Sequence, residues 1–85
     1  MPVSVKIRKV DEVTVVDMFG RLEVGEAVQT LRAALQSAMD EGAVRFVLNL
    51  ENVSYIDSAA LGELVTFYTI ILRKQGEIRL LTDKR

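Results

Sequence analysis

The chain has 85 residues and a formal net charge of −1 at pH 7, which suits one small domain and lacks the basic surplus that binding to nucleic acid requires. It contains no cysteine and no histidine, so disulfides, the commonest zinc ligands and the usual general base near neutral pH are excluded. We therefore expect no nucleic-acid partner, no metal and no cofactor.

The amino-terminal segment alternates polar and apolar residues and lacks the charged start and apolar core of a signal peptide. The most apolar segment, 59–72, contains Glu63 and is shorter than the ~20 residues that cross a bilayer. These features predict a cytoplasmic protein that does not insert into a membrane.

The first 20 residues predict a β-hairpin. Apolar and polar residues alternate from Val3 onwards, and Asp11-Glu12 separates them from a second apolar run, 13–19, that ends at Gly20. The first strand is half polar, which is typical of a sheet edge. The second strand has apolar residues on both faces, so we expect it further inside the sheet.

Two helices and two more strands are predicted to follow. Residues 25–41 have apolar positions at steps of three and four, which is typical of an amphipathic helix, and Gly42 stands just past its end. The β-branched and aromatic run 44–50 predicts a buried strand parallel to its neighbour. A second helix is expected from Ser58 to the segment 73–76, and residues 77–82 predict the last strand.

The second helix is apolar over much of its circumference. Its sheet-facing stripe is predicted to consist of Leu61, Leu64, Val65, Tyr68 and Leu72. Phe67 and Ile70 lie off this stripe and widen the apolar surface. They are therefore candidate interface residues, with ordinary core packing as the alternative interpretation.

The order of elements is ββαβαβ. It predicts an α/β fold with a mixed, mostly parallel sheet and helices that pack on it as crossovers between parallel strands. No repeat, linker or low-complexity tract interrupts the chain, so residues 1–85 are expected to form one domain.

The pair Asp57-Ser58 stands where the second helix begins. The first N–H groups of a helix have no internal partners and lie at the positive end of its dipole, so a phosphate on Ser58 would be stabilised there. The simpler interpretation is a helix cap, because Asp and Ser are among the best N-cap residues. The two roles can coexist.

The segment Asp57-Ser58-Ala59-Ala60-Leu61-Gly62 resembles the start of the corresponding helix in STAS domains of the anti-sigma factor antagonist family. The resemblance extends to Gly20-Arg21-Leu22 at the end of the hairpin, to the strand 46–50 and to 52–56, which are expected to form a link, and thus through the whole chain. In that family a partner kinase, which is also the anti-sigma factor, phosphorylates the serine that follows the aspartate. The resemblance implies that unmodified Ser58 binds this serine kinase and releases a sigma factor, and that a protein phosphatase removes the phosphate.

The resemblance also implies which residues meet the kinase: Asp57, Ser58, Ala59, Ala60, Gly62 and Glu63. Ala60 stands where family members usually have a glycine, so its methyl group is expected where the kinase surface approaches. Arg21, in the loop after Gly20, is expected near Ser58, where it could pair with phosphate or with an acidic partner residue. A solvated surface arginine is the alternative interpretation.

The family domain usually continues past the last strand with a helix, a strand and a final helix, whereas this sequence ends at Arg85. We therefore expect a short or truncated STAS-like fold. Apolar surface that those elements cover would be exposed, and a homo-oligomer could form through it.

An enzyme is not expected. Ser58 as a nucleophile would need a base, and the sequence has no histidine, no Gly-x-Ser-x-Gly elbow and no P-loop. A different class of function stays open, because similar STAS domains act as scaffolds or accessory subunits in stress-signalling assemblies and lipid transporters. Such a protein would bind its partners constitutively.

Overall fold

The computed structural model describes residues 4–82 of the chain. Its elements are β1 Ser4–Val10, β2 Val13–Leu22, α1 Glu26–Asp40, β3 Arg45–Ile56, α2 Ser58–Arg73 and β4 Glu77–Leu81. The predicted order ββαβαβ is confirmed. The first strand was predicted to begin at Val3, which lies outside the described residues.

The four strands form one mixed sheet in the order β1-β2-β3-β4. β1 pairs antiparallel with β2, whereas β2, β3 and β4 run parallel to one another. The predicted edge position of β1 and the interior position of β2 are both confirmed. Val15 and Val16, on opposite faces of β2, are both buried.

Both helices contribute to one hydrophobic core on one face of the sheet. Strand residues that alternate along β2 and β3, such as Val16, Met18 and Leu48, belong to the same cluster as Leu31 and Leu35 of α1. Period-two alternation in the strands and period-3.6 alternation in the helices bring these side chains together.

The opposite face of the sheet carries a polar network. The buried Asp17 carboxylate accepts hydrogen bonds from Arg8 Nε at 2.7 Å and from Asn49 Nδ2 at 2.8 Å. These two donors, Arg8 first, hold the pKa of Asp17 below its usual value. The network joins β1, β2 and β3 through side chains as well as backbone.

Two strands are longer than predicted. β2 continues through Gly20, which has φ 102°, to Leu22, and β3 continues past Leu50 to Ile56. The predictions that β2 ends at Gly20 and that residues 52–56 form a link are wrong. The pairing absorbs irregularities in register along this extension, and such bulges let a strand continue through residues that look like a loop in the sequence.

The predicted sheet-facing stripe of α2 is wrong at four of its five positions. The buried residues are Ala60, Leu64, Phe67 and Ile71, whereas Leu61, Val65, Tyr68 and Leu72 are 42–58% exposed. We call these four exposed residues the outer stripe. Two apolar stripes compete on this helix, so periodicity alone does not select the buried one.

Phe67 is a core residue and not an interface residue. It is 6% exposed, and its ring meets that of Phe46 edge to face, with the centroids 6.2 Å apart. Ile70 is half-buried. Of the two interpretations considered for Phe67, core packing is therefore the one that the structure supports.

Candidate functional site

The site lies where β2 and β3 end and the chain turns into the helices. Leu22 pairs with Ile56 in the parallel ladder, so the turn into α2 lies beside the loop that leads into α1. In parallel α/β sheets, residues beyond the carboxyl ends of the strands commonly form the binding site. Here that edge carries Asp57 and Ser58.

Asp57 connects the starts of both helices. Its Oδ1 accepts a hydrogen bond from the backbone N–H of Ala60 at 2.8 Å and caps α2. Its Oδ2 accepts one from the N–H of Val24 at 2.9 Å, in the loop before α1. The backbone N–H of Asp57 itself donates to the carbonyl oxygen of Leu22 at 3.2 Å. Asp57 therefore joins the start of α2 to the end of β2 and to the loop that leads into α1.

These hydrogen bonds stabilise the ionised form of Asp57. The N–H of Val24, followed by that of Ala60, holds the pKa of the carboxyl below its usual value. The carboxylate therefore keeps its charge, and with it both hydrogen bonds, at neutral pH.

Ser58 is the first residue of α2 and is exposed. Asp57 performs the capping that the sequence allowed for either residue, so the hydroxyl of Ser58 is not needed as the cap. A side chain at this position lies at the positive end of a 16-residue helix. Its hydroxyl is both accessible and placed where an added phosphate is electrostatically favoured.

The surroundings of Ser58 are small and apolar. Ala59 and Gly62 are exposed, and so are two larger side chains, Val24 at 68% and Leu61 at 55%. We did not predict Val24 from the sequence, although an isolated valine between Glu23 and Gly25 in a turn was a usable signal. A partner that reaches Ser58 would meet this apolar rim.

Ala60 does not belong to this surface. It is fully buried, so the methyl group that replaces the family's glycine packs into the core instead of facing a partner. The expectation that Ala60 contacts the kinase is therefore wrong. The helix itself turns this position inward, because Ala60 shares the buried face of α2 with Leu64 and Phe67.

Glu63 is half-buried and paired with α1. Its carboxylate lies 3.0 Å from Nε and 2.9 Å from Nη2 of Arg32, and this bidentate contact holds its pKa below the usual value. The charge of Glu63 is thus balanced within the chain. Arg32 was not assigned a role from the sequence, because its partner lies 31 residues away.

Arg21 lies in β2 and not in a loop. Its guanidinium stacks over the ring of Tyr55, 4.3 Å from the centroid, and Nη2 is 3.0 Å from Oε2 of Glu23. Arg21 faces away from its buried neighbour Leu22 and is held by these two contacts. The structure thus brings together five of the predicted contact residues: Asp57, Ser58, Ala59, Gly62 and Glu63.

The structure also bears on metal binding and on membrane insertion. Within residues 4–82, no group of three or more acidic side chains is placed to hold a metal ion. No helix in this part of the chain is long and apolar enough to cross a membrane.

The chain is similar to solved structures of anti-sigma factor antagonists. SpoIIAA in its unphosphorylated form is 26% identical with a TM-score of 0.79, over 96% of this chain and 76% of that one. The Bacillus cell fate determinant SpoIIAA in its phosphorylated form is 26% identical with a TM-score of 0.73, over 88% and 68%. An anti-sigma factor antagonist from Mycobacterium paratuberculosis, at 20% identity and a TM-score of 0.74 over 92% and 67%, shares the fold.

The family model described as the STAS domain matches residues 4–84, nearly the whole chain. The match covers both strands of the hairpin, both helices and the Asp57-Ser58 turn. The chain belongs to the STAS domain family, and its structural neighbours include anti-sigma factor antagonists.

Proposed function

We propose that this chain is a cytoplasmic anti-sigma factor antagonist whose binding is switched by phosphorylation of Ser58. Unmodified, it binds an anti-sigma serine kinase and so releases a sigma factor. Phosphorylation by that kinase ends the interaction, and a protein phosphatase restores it. The proposed contact surface consists of Asp57, Ser58, Ala59, Gly62 and Glu63 at the start of α2, with the exposed side chains of Val24 and Leu61 at its rim.

The observation that carries the proposal is the division of roles between Asp57 and Ser58. Asp57 caps α2 and holds the loop at Val24. Ser58 is exposed and is not the residue that caps α2. Modification of Ser58 would therefore leave the hydrogen bonds that define the edge intact, which a reversible switch requires.

The charge of the phosphate accounts for the free energy that would dissociate the complex. Phosphoserine adds about 1.5 to 2 negative charges at neutral pH, and the helix start accommodates them in the free protein. A partner packed against Val24, Ser58 and Leu61 would have to desolvate this charge, which costs several kcal/mol. Moving a complex from almost fully bound to almost fully free takes about 5.5 kcal/mol. The cost of desolvating one phosphate on an apolar contact surface is therefore similar in size to the free energy that the switch requires.

The proposed role is binding and not catalysis. A serine nucleophile needs a neighbouring base, and the chain has no histidine. Asp57, the carboxylate beside Ser58, already accepts two backbone hydrogen bonds and has a lowered pKa, which makes it a poor base. ATP is bound by the kinase.

The test combines intact-mass analysis with pull-downs. Wild type, Ser58→Ala and the matched control Ser54→Ala, an exposed serine on β3, are incubated with ATP and the anti-sigma kinase of the same genome. We expect one phosphate on wild type and on Ser54→Ala, and none on Ser58→Ala. The phosphorylated proteins should lose kinase binding, whereas Ser58→Ala should keep it.

A Ser58→Asp variant separates the charge from the hydroxyl. It should keep the circular dichroism spectrum of wild type and bind the kinase more weakly. Phosphorylation of Ser58→Ala to the same extent as wild type, or undiminished binding after phosphorylation, would contradict the switch.

A constitutive scaffold or accessory subunit is the second candidate function. The outer stripe of α2 favours it, because four exposed apolar residues on one helix form a surface suited to permanent contact. A scaffold would bind its partner equally well before and after incubation with kinase and ATP. The same pull-down therefore distinguishes the two functions.

A further inference from the structure

We infer that Arg21 and Tyr55 form a second contact with the kinase, beside Ser58, in which Arg21 binds an acidic side chain of the kinase. The inference rests on the proposed function, because the partner is the kinase that phosphorylates Ser58. It adds a determinant of partner choice. A kinase with a carboxylate opposite Arg21 is accepted, and one with a basic residue there is rejected, because like charges brought together are unfavourable.

The first argument is a β-bulge that turns Tyr55 toward solvent. Gly20 of β2 pairs with Val53 of β3. The next residue of β2, Arg21, pairs with Tyr55, so β3 has one extra residue at this point. Val53 packs against the core, and regular alternation would bring Tyr55 to the same face. The bulge instead leaves Tyr55 45% exposed and brings Ile56 to the core. Bulges near functional sites commonly redirect a side chain in this way.

The second argument is that Tyr55 is held in place although it is exposed. The Arg21 guanidinium lies 4.3 Å from the centroid of the Tyr55 ring, and its Nη2 atom lies 3.0 Å from Oε2 of Glu23. The side chains of Arg21 and Glu23 are themselves 46% and 42% exposed. Side chains that are already ordered lose less conformational entropy when a partner binds. Tyrosine and arginine are also enriched among the residues that dominate binding energy.

The third argument is the short distance from Ser58. Both strands end one residue further on, at Leu22 and Ile56, so Arg21 and Tyr55 lie at the same end of the sheet as Ser58. Tyr55 precedes Ser58 by three residues, so their Cα atoms are no more than about 11 Å apart. A standard interface covers about 800 Å² on each partner, which corresponds to a disc of about 16 Å radius. A kinase centred on Ser58 would therefore reach both residues.

The guanidinium of Arg21 is suited to a carboxylate on the partner. It carries five N–H donors in a rigid plane, and Glu23 accepts from Nη2. The Tyr55 ring contacts the group through its π face, so N–H donors remain for a carboxylate, which can accept two of them at once. The competing role for Arg21 is to bind a phosphate on Ser58 within the same chain. The experiment below distinguishes the two roles.

The test is the affinity of the unmodified chain for the anti-sigma kinase of the same genome, measured by isothermal titration calorimetry without ATP. We expect Arg21→Glu and Tyr55→Ala to bind at least about 10-fold more weakly than wild type. The matched control is Arg45→Glu, because Arg45 is an ion-paired arginine, 52% exposed, at the opposite end of β3. Its affinity should stay within about twofold of wild type. Circular dichroism and thermal melting check that each variant is folded.

A charge exchange identifies the acidic residue on the kinase. Each surface aspartate or glutamate of the kinase is replaced by lysine in turn, and each kinase variant is titrated with wild type and with Arg21→Glu. One kinase variant should bind wild type weakly and Arg21→Glu more tightly, because the two opposite charges have exchanged places. A purely structural role of Arg21 would produce no such compensation.

The possible results separate this inference from the proposed function. A wild type that neither binds the kinase nor is phosphorylated on Ser58 would overturn both. A wild type that binds and is phosphorylated, together with unchanged affinity of Arg21→Glu, would overturn the second contact alone. Weaker binding of Arg21→Glu with no compensating kinase variant would overturn the carboxylate as its ligand. Normal binding of unmodified Arg21→Glu, with release after phosphorylation lost, would assign Arg21 to the phosphate instead.

Discussion

The orientation of α2 decides which apolar residues form the core and which form a surface, and Phe67→Ala tests it directly. The Phe67 ring is 6% exposed and packs edge to face on Phe46 at 6.2 Å. Replacing a buried phenylalanine by alanine costs about 3–5 kcal/mol, because transfer free energy is lost and a cavity remains. A domain of this length has a total stability of about 4–13 kcal/mol. The variant should therefore lose about a quarter or more of its free energy of unfolding.

The neighbouring residue provides the matched control. Tyr68 is also aromatic but is 42% exposed on the outer stripe, so much of its ring contacts water in both states. Tyr68→Ala should cost about 1 kcal/mol or less, since only the buried part of the side chain contributes. The orientation of α2 is tested by the difference between the two variants in their loss of free energy of unfolding, more than by either loss alone.

Urea unfolding followed by far-ultraviolet circular dichroism measures both values. The protein concentration should be low micromolar, so that self-association does not contribute to the measured free energy of unfolding. If Phe67→Ala does not fold, Phe67→Leu should still show a loss of about 1–2 kcal/mol. Equal losses for Phe67→Ala and Tyr68→Ala, or a larger loss for Tyr68→Ala, would refute the orientation of α2 and with it the assignment of the outer stripe.

Three further predictions follow from single positions. Gly62→Ala should raise the free energy of unfolding by about 0.5–1 kcal/mol, because Gly62 lies inside α2 with open space around it. If this position contacts the kinase, the same variant should bind the kinase more weakly in a pull-down. Gly76→Ala should lower the melting temperature, because a Cβ there collides with the carbonyl oxygen of Val44; an unchanged melting temperature would contradict the close approach. Asp17→Asn should reduce the acid sensitivity of urea unfolding. The pKa of Asp17 is lowered in the folded state, so its stabilisation is present above about pH 4 and is lost as pH falls through the folded pKa. An equally steep loss in the variant below pH 4 would contradict this account.

The sequence was sufficient for the order of the elements and for the helix start at Asp57-Ser58. Strand alternation, helical periodicity and the stop at Gly42, which takes φ 98°, are local signals, and they predicted the order of elements and the mixed sheet. The pair Asp57-Ser58 predicted a helix start, because helix capping depends on residues that are close together in the sequence. Resemblance to the antagonist family supplied the candidate role of Ser58, which physical reasoning from the residues alone had left beside simple capping.

Contacts between residues that are far apart along the chain could not be predicted from the sequence. The hydrogen bond from Val24 to Asp57 and the Arg32–Glu63 pair each join residues more than 30 positions apart, and nothing in the spacing of the chain specifies them. The extension of β3 to Ile56 likewise depends on its pairing with β2, which tolerates irregular register. Such contacts exist only once the sheet has assembled.

The sequence by itself determined that a helix begins at Asp57-Ser58 and that this helix is apolar on two sides. Tertiary structure decided which side is buried. Local periodicity reports how apolar residues are distributed around a helix axis, but the rotation of the helix about that axis depends on how well each stripe fills the space above the sheet. Phe67 fits against Phe46, so Ala60 turns inward with it and the outer stripe is exposed within residues 4–82.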